Sequence, residues 1–230
     1  MAAVRIPAVL FCALLAGLPF GGTAAPFSVR LGLEKIVLNA PPGFSDTTEL
    51  ASPRLRDLGE SLVSPSNRIL LFALTDADLR RFTNGDPLGT KLRYLLVATP
   101  SALERERVTT QDFAGMVALS QRESGKPPQG DLLQYLSKQP QGKSSILAEL
   151  KKDTTVFSVL QGTKLISPPA GFLSAEKPAQ YVLSTTTLLL LHGKALQLSA
   201  FTSLDTPDDM DWLKAITERW LAELLRLNGR

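Results

Sequence analysis

One histidine, His192, stands in the whole chain. A serine or cysteine nucleophile needs a base within reach, so any chemistry of that kind would have to pass through it. Its surroundings read differently. His192 and Gly193 separate two apolar runs, Thr185 to Leu191 and Ala195 to Thr202, as the central pair of a two-residue hairpin turn does, with glycine taking the positive φ. The Gly-x-Ser-x-Gly elbow of esterases is missing from the sequence. A zinc site of the usual kind needs several His and Cys ligands, and this chain has one of each. The residue types therefore predict no catalytic residue, no metal ligand set and no cofactor-binding residue.

Two further groupings invite a chemical reading. Asp205, Asp208, Asp209 and Asp211 crowd together, and hard cations take several carboxylate oxygens. Their spacing is not that of a calcium-binding EF-hand loop, and acids at the start of a helix are accounted for by the positive end of its dipole. Gly142-Lys143-Ser144 has the tail of a phosphate-binding loop, but Ser137 stands where that loop needs its first glycine. Paired carboxylates for glycoside cleavage depend on separation in space, which sequence spacing leaves open.

The elements that would position any site follow from periodicity and turn chemistry. A strand is expected from about Leu33 to Asn39, leaving through Pro41-Pro42-Gly43-Phe44. Ser52 and Pro53 open a helix to about Val63, with Leu55, Leu58 and Leu62 on one face. Strands are expected at Arg68 to Thr75 and Leu92 to Thr99, with a short helix from Asp76 to Phe82 between them. Thr109 and Asp112 read as a capping pair for a helix through Phe113, Met116 and Val117. Shorter helices are expected at Asp131 to Ser137 and at Ser144 to Lys152, so that the stretch from Gln111 to Lys152 reads as a helical insert. Strands follow at Thr155 to Gln161, Ala179 to Leu191 and Ala195 to Ser203. Last comes a helix from Pro207 to about Leu227, with Thr206 as its cap and Leu213, Ile216, Trp220 and Leu224 at steps of three and four. Leu221, Leu224, Leu225 and Leu227 are expected to pack on the sheet, since a membrane-surface helix would gather Lys and Arg on its polar face. Pro168-Pro169-Ala170-Gly171-Phe172 echoes the earlier proline exit, but the residues beyond it do not align.

Compartment comes from the first residues. Arg5 precedes an apolar run from Ile6 to about Phe20, and the small residues Gly21, Gly22, Thr23, Ala24 and Ala25 follow, which is the layout of a cleaved secretory signal. Cleavage is expected after Ala24, with Ala25 as the alternative; the run is short for a spanning anchor. The lone Cys12 lies within that run, so the single cysteine leaves no disulfide to form. Asn39, Asn67, Asn84 and Asn228 do not begin an Asn-x-Ser/Thr site. An exported chain without disulfides or glycosylation sites suits a bacterial envelope, and the expected address is the periplasm. The 25 Lys and Arg are interspersed with the 22 Asp and Glu. No basic cluster interleaved with aromatics marks a nucleic-acid partner.

The order of these elements resembles the PsbP-like family. A strand with a Pro-Pro-Gly-Phe exit, an early helix, antiparallel strands, then a hairpin leading into a long helix that begins Thr206-Pro207-Asp208-Asp209 and contains Trp212 and Trp220 are the features that carry it. The resemblance implies an α/β/α sandwich and a non-catalytic accessory or binding role in the envelope, and it brings no functional residues. The reading is thus a signal peptide at 1–24 and one α+β domain at 25–230, an antiparallel β-sheet flanked by helices with the C-terminal helix packed on it. The expected partner is an envelope protein or other periplasmic component, with no nucleic acid and no stable membrane insertion after cleavage. A carboxylate-based envelope hydrolase and a carrier of a small apolar ligand are the alternatives.

Overall fold

The structure is a computed structural model, and it describes residues 25–229 except 49, 51, 88, 90 and 166–179. The expected leader and the second proline exit lie outside the described residues, apart from Ala25.

Alternating apolar and polar residues near the start form two strands rather than one, β1 (Phe27–Leu31) and β2 (Glu34–Leu38), turned at Gly32 with φ 59°. The strand expected from about Leu33 to Asn39 is β2, and the unexpected β1 pairs with it because Gly32 permits a tight reversal that puts Leu33 in the turn. The proline exit then reverses the chain again: Phe44 N–H donates to the Pro41 carbonyl at 3.1 Å, and Gly43 takes φ 86°. There follow β3 (Phe44–Asp46), α1 (Pro53–Ser61), β4 (Asn67–Thr75), α2 (Asp76–Asn84) and β5 (Arg93–Pro100). Then come α3 (Thr110–Ser124), α4 (Leu132–Ser137), β6 (Ser144–Lys152), β7 (Val156–Lys164), β8 (Tyr181–Leu191), β9 (Lys194–Ser203) and α5 (Asp208–Leu227).

β1 and β2 form a separate hairpin, and the other seven strands make one antiparallel sheet in the order β3-β4-β5-β9-β8-β7-β6. Side chains alternate between its faces. On one face Leu71, Leu95, Val97, Leu196 and Leu198 meet Leu213, Ile216, Trp220 and Leu224 of α5, with Leu31, Ile36 and Leu38 of the hairpin and Leu136 of α4. The opposite face carries two smaller clusters, one under α1 and α2 around Phe72 and Leu96, the other under α3 around Phe113, Phe157 and Leu190. The fold is the expected α/β/α sandwich with the C-terminal helix packed on the sheet. Each fully buried Leu or Ile along α5 contributes roughly 1.5–3 kcal/mol.

Two local expectations are overturned. Ser144 to Lys152 is a strand, not a helix, and the stretch read as a helical insert holds two helices and an edge strand. Register shifts between Ile146 and Ala148 and between Glu149 and Lys151 mark irregularities in β6. Such bulges break the period of two and mimic the three-to-four spacing of a helix. At the start of α5 the direction of capping is reversed. Thr206 lies outside the helix, and the Asp209 carboxylate accepts from the backbone N–H of Asp205 (3.0 Å) and Thr206 (2.9 Å).

Candidate functional site

α1 begins as its sequence dictates, with Ser52 Oγ accepting from Leu55 N–H and Pro53 in the first turn. Leu55 turns inward onto Phe72 of β4. The crossing is close at Gly59, where a Cβ would lie 3.1 Å from Phe72 Cδ1 and 3.5 Å from Ile69 Cδ1. β3 pairs only with Ala73, Leu74 and Thr75. Thr47 extends the contact by one step, its N–H (2.7 Å) and its hydroxyl (2.8 Å) both donating to the Phe72 carbonyl. From Asn67 to Leu71 the outer side of β4 has no strand partner among the described residues.

A groove of about 710 Å³ runs beside this open strand edge, between α1 and the segment that follows β3. Leu55, Val63, Ile69 and Phe72 give it an apolar floor, and Arg56, Glu60 and Arg68 stand among its lining residues. Leu50, 41 % exposed, adds an apolar lip. Arg68 is paired with Glu104. The far edge of the sheet is different: β6 carries two irregularities and ends on exposed Lys151 and Lys152. Charges and bulges of that kind discourage strand addition. The β4 edge carries a single register shift, between Ile69 and Leu71. An apolar trough along a strand edge can hold an extended backbone by main-chain hydrogen bonds and its alternate side chains by burial.

Other cavities are more modest. One of about 540 Å³ lies under α3 beside Glu149, Phe157 and Val159, and one of about 280 Å³ lies beside α5 at Ser158, Thr217 and Glu218. A small recess of about 40 Å³ opens at Met116 and Gln197. The groove contains Glu60 as its one carboxylate, and no other of these cavities holds more than one. Trp220 is almost completely buried in the cluster that α5 forms with the sheet and the first hairpin.

The residues singled out by type are dispersed. His192 is exposed in the hairpin turn with φ 50°, next to Gly193 with φ 74°. Among the acids Asp209 is buried at 1 % exposure and pairs with Lys91 and with Arg93, the latter at 3.2 Å. Asp205 lies 3.9 Å from Lys91, and Asp211 pairs with Lys214. Burial by itself would raise the Asp209 carboxyl, but hydrogen bonds from Lys91 and the Thr206 and Asp205 N–H groups, with the Lys91 charge, hold it at about 2. The Arg93 guanidinium lies 3.8 Å from the Trp212 ring centroid, so this cluster clamps the helix start to β5. Among the described residues no three of His, Cys, Asp and Glu come together as a metal site. Gly142 and Lys143 form the turn into β6, with Gly142 N–H on the Lys164 carbonyl at 2.8 Å. Leu221 and Leu224 pack inward in the α5 core.

Sequence reading missed the groove, because its walls come from α1, β4 and the link between β3 and α1. The one local signal was Gly59, a helical glycine that marks close backbone approach. Fold and groove together define an α/β/α sandwich with an open-edged apolar trough. No family model, no curated protein and no solved structure matches this chain.

Proposed function

We infer that this is an exported, periplasmic protein of the PsbP-like kind that acts by binding rather than by catalysis, taking an extended segment of an envelope protein into the groove between α1 and β4. The observation that carries the reading is the apolar trough lying along an unpartnered stretch of strand. Strand addition supplies affinity through main-chain bonds that any sequence can make, and the floor at Ile69 and Phe72 selects apolar side chains. The hydrolase alternative gains no support from cavities that each hold at most one carboxylate. The apolar floor also suits a small ligand, which makes the carrier the second reading.

The test is in-cell photocrosslinking from Val63, in the groove, and from Lys143, at the far sheet edge. One dominant envelope protein captured from Val63 and not from Lys143 supports the reading. The same proteins from both positions, or none from Val63, rejects it, and an apolar molecule extracted with the purified protein then favours the carrier.

A further inference from the structure

Leu33, in the turn between β1 and β2, is fully exposed, more so than any other large apolar side chain among the described residues. Just behind the turn, Arg30 and Lys35 are Cα partners across the hairpin and both are exposed. Like charges placed directly opposite destabilise a strand pair, and neither side chain has an ion-pair partner among the described residues. Two opposed cations beside an exposed leucine at the tip of this hairpin are a costly arrangement unless something anionic meets them.

More cations gather at the same place. A Cβ on Gly32 would lie 3.3 Å from Arg105 Cα and 3.2 Å from Lys194 Nζ. Lys194, itself buried, donates to the carbonyls of Glu104 (3.2 Å) and Glu106 (2.6 Å). The Arg107 side chain rests on Gly193, and Val108 N–H donates to the Gly193 carbonyl at 2.8 Å. Lys194 thereby ties the 104–107 loop to the start of β9 beside the Gly32 turn, and Arg105 and Arg107 stand exposed on that loop, also outside any ion pair among the described residues. The opposing carboxylates are Glu34 and Glu106, since Glu104 is engaged by Arg68.

We propose that this corner, with Leu33 at its tip and Arg30, Lys35, Arg105 and Arg107 around it, docks the protein on an anionic phospholipid surface. The leucine enters the headgroup layer while the four cations meet lipid phosphates. A protein partner would call for a wider apolar patch than one leucine, and a soluble polyanion would have no use for Leu33. None of these five residues lines the groove, so either reading stands or falls without the other.

The test is cosedimentation of the purified protein with phosphatidylcholine vesicles, with and without phosphatidylglycerol, over a range of salt. Binding is expected only with phosphatidylglycerol and should weaken as salt rises. Arg30→Glu with Lys35→Glu should lower the affinity by about 20-fold or more, and Leu33→Asp by about tenfold. Lys138→Glu with Lys143→Glu, the same charge change at exposed positions flanking α4 and β6, should bind like the parent. All five positions are exposed, so melting temperatures should stay unchanged and folding defects would be visible separately. Equal binding to neutral vesicles, or no binding, overturns the proposal. So does undiminished binding by Leu33→Asp, which would reduce the corner to adsorption of any polyanion, or an equal loss in the Lys138 and Lys143 control.

Discussion

The indole N–H of Trp220 donates to the backbone carbonyl of Asn39 at 2.9 Å, both groups being buried. This bond joins the middle of the last helix to the end of the first hairpin. Asn228 completes the attachment, its side chain accepting from Val37 N–H (2.9 Å) and donating to Val37 O (2.8 Å).

Trp220→Phe should therefore cost more than lost area. It leaves a buried carbonyl without its donor and a void where the second ring was, so a loss of about 2–4 kcal/mol is expected in urea unfolding. A loss below about 1 kcal/mol would mean that water reaches the Asn39 carbonyl and that α5 is held mainly by its leucines.

Asp209 predicts an acid limb. Its carboxyl is lowered from 3.8 to about 2 in the folded chain. A group depressed on folding contributes stability that is complete above its unfolded value and is lost as pH falls through the folded one. The contribution should fade between about pH 4 and pH 2. Asp209→Asn should be less stable than the parent at neutral pH by about 3 kcal/mol, because Lys91 and Arg93 lose their buried partner. The two melting curves should converge toward pH 2, and parallel curves across that window would refute the assignment.

Gly162 marks where α4 meets β7. A Cβ there would lie 2.7 Å and 2.9 Å from the two methyl carbons of Leu136 and 3.1 Å from Leu147 Cδ1. Leu136 is fully buried and has nowhere to turn. Gly162→Ala should destabilise by about 1–3 kcal/mol, and Leu136→Ala in the same chain should recover part of the overpacking. Additive losses in the double variant would show that the two positions are not in contact.

Filling the groove should abolish binding without unfolding. Val63 is half-buried on the groove wall, so Val63→Trp has open space to enter. Capture of a groove partner should fall by about tenfold or more, with the thermal midpoint shifted by no more than about 2 °C.

Much of the fold was legible because local signals agreed. Thr109 and Asp112 form the expected capping box, Ser52 caps α1, and His192-Gly193 turns β8 into β9. β6 was illegible for a definite reason. Its register shift between Ile146 and Ala148 brings the neighbours Leu147 and Ala148 into the same α5 cluster, while Ile146 lies in the α3 cluster, so the apolar residues do not keep a period of two. Thr206 and Asp209 were legible as residues of the helix start, but that the carboxylate caps the threonine involves Lys91 and Arg93, far away in the chain. The groove left almost no trace, because it exists where β3 stops pairing while β4 continues, and the length of a pairing is decided between strands.

Within the seven-stranded sheet every pairing joins strands consecutive in the chain except one, β5 with β9 from Arg93↔Thr202 to Ala98↔Gln197. Closing that seam brings together segments separated by three other strands and two helices, whereas each flank can zip from its own turns. Loop-closure entropy makes such a distant contact the slow event. Residues of the seam should govern the rate at which the chain folds, and those of the outer strands chiefly the rate at which it comes apart.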